Sequence, residues 1–231
     1  MNYYSGDMLS TILVLLALAI PFAASMYIKV NYSKYKKVDI NCKKTGFDVA
    51  REMLDKNGLS NVLILETQGE LSDHYDPSKK VVKLSHDVYH GTSIAACSVA
   101  SHECGHAIQD KEGYTFLVFR NKIVPLVNLS SKLGYIAVMV GILFSIADLL
   151  WIGVALEAII LIFQLVTLPV EFNASARALA YLEENGVVNK NELDGSKKML
   201  TSAALTYVAG VFAAALQLLR LVLIARSRDD N

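Results

Sequence analysis

His102-Glu103-Cys104-Gly105-His106 sets two imidazoles four residues apart with a carboxylate between them. On a helix, residues four apart lie one above the other on one face, so both imidazoles can reach a single zinc ion. Glu103 falls on the neighbouring side of the same turn. From there a carboxylate can take the proton of a zinc-activated water as that water attacks a peptide carbonyl. The bland alternative is a helix that carries these residues without chemistry. Catalytic zinc also needs a third protein ligand and an open position for water. A metzincin would have Gly and His where this chain has Gln109 and Glu112, so that class is excluded. Asp110 shares the helix face but sits two turns beyond His102, and a pitch of about 5.4 Å per turn argues against convergence on one ion. Glu171 directly follows an apolar run and opens a polar stretch, which makes it the better third-ligand candidate. The alternative there is a solvated first-turn carboxylate favoured by the helix dipole.

The elements around the motif are those that could position it. Ser93 can cap a helix in which Ile94, Ala95, Val99 and Ile108 supply apolar positions. Gly105 inside that helix costs about 1 kcal/mol relative to alanine. Such a cost implies close backbone packing against a neighbouring element. Upstream, Val62 to Leu65 reads as a strand, and Ser72–Tyr75 and Val81–Leu84 flank the turn signal Asp76-Pro77-Ser78-Lys79-Lys80. A small sheet with a hairpin therefore precedes the zinc helix, and an exposed edge of it could hold an extended peptide. Thr45 to Asn57 has a capping Thr and apolar residues at helical spacing, with Gly58 ending it.

The chain is 53% hydrophobic, and the excess is concentrated in blocks. Leu9 to Ile28 is almost wholly apolar, long enough for a bilayer core of about 30 Å. No Lys or Arg precedes it, whereas Lys29, Lys34, Lys36, Lys37, Lys43 and Lys44 follow. That asymmetry predicts a membrane anchor with its following domain in the cytosol, rather than a cleaved signal peptide. Leu133 to Val170 suits two crossings, with a turn expected at Asp148-Leu149-Leu150-Trp151. Such a hairpin returns Glu171 to the face that holds His102 and His106. Ala203 to Ile224 is a candidate fourth span, although Arg226 and Arg228 would then lie outside, and the alternative is a packed or interfacial helix. Phe116 to Leu129, broken by Pro125, reads as an amphipathic surface helix.

Lys plus Arg and Asp plus Glu are 22 each, so nothing points to nucleic acid. Cys42, Cys97 and Cys104 show no metal-type pairing and read as free thiols, with Cys104 a packing residue. His74, His86, His90, Tyr75, Tyr89 and Arg177 are each open candidates for stabilising an oxyanion. Within the apolar blocks, Glu157 and Arg220 could pair across spans. A transporter built on that pair would lack internal symmetry and leave the His-Glu motif unexplained. A site-2-type intramembrane protease is disfavoured because Ser93, Ser98 and Ser101 interrupt a motif helix too short to span.

His102-Glu103-x-x-His106 before a membrane hairpin, with Glu171-Phe172-x-Ala174-Ser175 directly after it, resembles the bacterial YugP-type zinc-dependent membrane peptidases. The Asp73-His74-Tyr75-Asp76-Pro77 turn and the Tyr89-His90-Gly91 approach to the helix carry the same resemblance. It covers nearly the whole chain, and more distantly it extends to HtpX and the CAAX prenyl proteases, which are gluzincins. The resemblance implies one Zn2+ held by His102, His106 and Glu171, with Glu103 as general base. Those distant relatives carry Asp four residues after the ligand Glu. Here the position is Ser175, so support for the ligand histidines would come from elsewhere, for example Asn173 or Asp110. The expected fold class is a membrane α-helical protein with a small α+β gluzincin-like metalloprotease domain. Its expected divisions are an anchor (1–30), the metalloprotease domain (31–132), a membrane hairpin (133–170), a third-ligand helix and loop (171–200) and a C-terminal membrane helix (201–231). The expected activity is a zinc metalloendopeptidase acting at the cytosolic face of the cell membrane on peptide or membrane-protein substrates. A non-catalytic membrane protein with a structural or vestigial zinc site is the alternative, and it would usually show four closed protein ligands.

Overall fold

The computed structural model describes residues 3–229, with side chains from Met8 onward. The chain is mostly helical: α1 (Tyr3–Tyr35), α2 (Gly46–Lys56), α3 (His86–Tyr89), α4 (Ile94–Lys111), α5 (Thr115–Phe144), α6 (Ala147–Glu184) and α7 (Lys190–Asp229). Three strands, β1 (Leu63–Thr67), β2 (His74–Asp76) and β3 (Val81–Ser85), form one small sheet. Contacts divide the chain into two compact units. One comprises the chain up to Ser25, Phe119–Leu168 and the chain from Thr206; the other comprises Met26–Val118 and Pro169–Leu205.

The second unit contains the sheet and the motif helix. β3 is the central strand, parallel to β1 and antiparallel to β2, in the order β1-β3-β2. Val81, Val82, Leu84 and Ser85 of β3 are buried, as expected for a central strand covered on both faces. The Asp76 turn works as its residue types require: Asp76 Oδ1 accepts from the Ser78 hydroxyl and from the Ser78 and Lys79 amides. α2 begins with a capping box between Thr45 and Asp48 and packs along α4. Its Val49, Ala50, Met53 and Leu54 enter a core shared with Ala100, Cys104 and Ile108 of α4 and with Tyr181 and Leu182 of α6. Cys104 is a packing residue there, its thiol 3.6 Å from the Ala50 carbonyl. All three cysteines are free.

The first unit is built from apolar helix segments. Four helices, α1, α5, α6 and α7, are long and apolar enough to cross a membrane. Large apolar side chains such as Leu15, Phe22, Tyr135 and Leu143 are exposed on them, which in water would be unfavourable and in lipid is ordinary. α5 and α6 approach closely through small residues: a Cβ on Gly153 would lie 2.5 Å from Val138 Cγ2, and one on Gly141 would lie 2.9 Å from Leu150 Cδ2.

Four local expectations change. Phe116 to Leu129 is not a separate surface helix but the first half of α5, which continues through Pro125. Glu171 does not open a helix: α6 runs unbroken through Pro169, so the glutamate lies in a helix interior. Proline ends helices in water-soluble chains, but apolar helices tolerate it where neighbouring groups satisfy the freed backbone. The break between α5 and α6 falls at Ser145 and Ile146, with Ser145 at φ 55, before the expected Asp148 turn. Asp148 instead occupies the first turn of α6, where the helix dipole favours it. Arg220 donates to the Ser10 hydroxyl at 3.1 Å rather than reaching Glu157.

Candidate metal centre

Ser93 caps α4 by accepting the Ala96 amide, and the helix then carries His102 and His106 on one face. Their ring centroids are 4.7 Å apart and nearly perpendicular. Glu171 arrives from α6, buried at 3% exposure, with Oε2 3.3 Å from His102 Nε2 and 3.6 Å from His106 Nε2. The ligand atoms of all three residues lie within 4.8 Å of one another. Gly105 allows this approach. A Cβ there would stand 2.8 Å from the Ala174 carbonyl oxygen and 3.1 Å from its Cα, so the backbones of α4 and α6 meet at this point. The neighbouring element implied by that glycine is therefore the helix segment that carries Glu171.

Two side chains orient the imidazoles. Gln109, fully buried, donates from Nε2 to the Val170 carbonyl at 2.8 Å and to Asn173 Oδ1 at 2.9 Å. A backbone carbonyl can only accept, so this end of Gln109 is its amide nitrogen and the opposite oxygen faces His106 Nδ1 at 3.0 Å. His106 Nδ1 therefore carries a proton, and Nε2 is the nitrogen that faces Glu171. Ser175 Oγ lies 3.1 Å from His102 Nδ1, so there too Nε2 is the nitrogen that faces the carboxylate. Asn173 contributes through Gln109, and Arg177 extends the chain by donating to Asn173 Oδ1 at 2.8 Å. Asp110 takes no part: it accepts from the Tyr75 hydroxyl and from Lys80.

The electrostatics suit a cation. Burial pushes the Glu171 carboxyl up, but its hydrogen bonds to His102 and His106 and their charges outweigh this and hold it well below the usual carboxylate range. Burial pushes His106 down, and the Glu171 hydrogen bond and charge reverse this, so it holds its proton above the ordinary imidazole value. Glu103 is buried at 8% exposure. Nearby, burial pushes the Asp73 carboxyl up against the Ser85 amide, and the Glu103 charge pushes it the same way.

The other sequence candidates do not converge here. His74 pairs with the Ser72 carbonyl, His86 and His90 turn to Glu66, and Tyr89 stacks on Phe47. Arg177 makes a paired contact with Glu112 at 2.6 and 3.0 Å. The residue that sequence reasoning missed is Gln109, read there only as a non-ligand. Its signal was a polar side chain one turn after His106 on a helix whose neighbours are buried.

The donor set fits zinc: two imidazole nitrogens and one carboxylate oxygen converge. A family model described as "Putative neutral zinc metallopeptidase" matches residues 10–226. "Putative membrane protease YugP" from Bacillus subtilis (strain 168) is 45% identical over 225 residues, covering 97% of this chain and 100% of the relative. No solved structure matches.

Proposed function

The chain belongs to the family of neutral zinc metallopeptidases, and from that membership we propose that it is a membrane-bound endopeptidase of the gluzincin type. His102, His106 and Glu171 hold one zinc ion, and Glu103 is the general base. The observation that carries this reading is that both Nε2 atoms, on the helix that also bears Glu103, converge on the buried Glu171 carboxylate of α6. When bound, zinc supplies Lewis-acid polarisation of a carbonyl and lowers the pKa of water to about 7.

The protein's own groups do the rest. Gln109 and Ser175 hold each imidazole with Nε2 inward, so neither ring has to reorient when the ion enters. Glu103 takes the proton of the attacking water and passes it to the leaving amine, the ordinary service of a carboxylate general base. Its burial limits access of competing solvent.

The four apolar helices support a multi-pass cell-membrane protein, and the run of lysines after Leu9–Ile28 supports a cytosolic active site. Substrates are peptides or membrane proteins whose flexible segments reach that face. The test is cleavage of a labelled, unfolded substrate by detergent-purified wild type beside Glu103→Gln. Loss of at least about 100-fold, the lower range for removing a general base, is expected. Equal cleavage by the two proteins contradicts the proposal.

A further inference from the structure

A second group of histidines and a carboxylate converges among the described residues, away from the site above: Glu66, His86 and His90. Glu66 lies near the end of β1. His86 opens α3 and His90 follows it, so the histidines are four apart across one helical turn, with ring centroids 4.8 Å apart. Each takes a different oxygen of the same carboxylate: His86 Nδ1 is 2.6 Å from Oε1, and His90 Nε2 is 3.1 Å from Oε2. The three ligand atoms lie within 4.8 Å of one another. Around a tetrahedral ion with bonds of about 2.0–2.2 Å, neighbouring ligand atoms stand roughly 3.4 Å apart. Glu66 is 43% exposed, so its side chain is not locked by packing at the present spacing.

We propose that Glu66, His86 and His90 form a second, exchangeable site for a divalent cation of the zinc class, separate from the His102–His106–Glu171 centre. Imidazole and carboxylate donors together suit Zn2+, Co2+ and Ni2+. Three protein ligands, all exposed, leave the ion open to solvent, so it enters and leaves readily, unlike an ion at the buried centre. Its place gives occupancy a structural effect. His90 leads through Gly91 and Thr92 to Ser93, the cap of α4. That stretch is anchored by the Gly46 amide on the Gly91 carbonyl and the Ile40 amide on the Thr92 carbonyl, both at 2.9 Å. An ion on the cluster ties the end of β1 to the chain that enters the motif helix.

The test is calorimetric titration of Zn2+ into the full-length, untagged, detergent-solubilised protein whose buried site is already filled. One further equivalent per chain is expected. His86→Ala and His90→Ala each weaken it at least about tenfold, and the double variant abolishes it. Glu171→Ala, which removes a ligand of the other centre, still takes up this equivalent. The three side chains are 73%, 55% and 43% exposed for His86, His90 and Glu66, so their variants keep the wild-type melting temperature without added zinc. Only wild type gains melting temperature as zinc is added. A wild type that takes up no further equivalent, or an equivalent that survives the double substitution, overturns the proposal.

Discussion

At the scale of single residues, the site depends on which imidazole nitrogen is free. Gln109 decides this for His106, because its amide nitrogen is committed to Val170 and Asn173 and only its oxygen remains for Nδ1. Gln109→Ala should therefore lower zinc affinity about 10–100-fold, the range seen when partners of ligand histidines are removed; competition with a chelator measures it. Zinc uptake requires neutral imidazoles. The His106 proton is held more tightly than that of an ordinary imidazole, so protons compete with zinc there more strongly as the solution is acidified. Affinity constants measured across the neutral range should fall steadily towards acid. The grouping of His102, Glu103 and His106 was legible in the sequence because their spacing is local to one helix. The contacts of Gln109 with Val170 and Asn173 and of Ser175 with His102 were not, since they run between two helices and no local pattern names them. Tyr89 and Arg177 likewise have partners, Phe47 and Glu112, that only tertiary structure brings near, whereas His74 turns to the Ser72 carbonyl two residues away.

At the scale of elements, the crossing of α4 and α6 assembles the centre. Gly105→Ala places a methyl group against the Ala174 backbone, which cannot move as a flexible side chain could. Overpacking costs roughly 1–3 kcal/mol and outweighs the gain of about 1 kcal/mol in helix propensity. The variant should unfold at lower denaturant and retain less zinc than wild type. The caps at Thr45 and Ser93 and the Asp76 turn were readable because short-range hydrogen bonds fix them. The course of α5 and α6 was not. Pro125 and Pro169 read as breaks by the rules of water-soluble helices, yet both lie inside continuous helices. The parallel pairing of β1 with β3 also left no local trace, because strand neighbours distant in sequence are chosen by the core.

At the scale of the whole molecule, the four membrane-length helices are continuous in sequence with the unit that holds His102, His106 and Glu171. The proposed orientation puts that unit in the cytosol. Cys42 is its exposed thiol, whereas Cys97 and Cys104 are buried. In intact cells Cys42 should resist a membrane-impermeant maleimide and react once the membrane is opened; labelling of intact cells would reverse the orientation. Composition made the membrane character plain, since long apolar runs need no tertiary knowledge. The zinc centre itself joins residues of helices α4 and α6, and its most direct test is the zinc content of purified protein. Wild type, Glu103→Gln and Glu171→Ala are compared in a His86→Ala, His90→Ala background, so that the count reports the buried centre alone. One zinc per chain in the first two and loss of zinc in the third is the predicted result, whereas a full zinc complement in Glu171→Ala would contradict the ligand set.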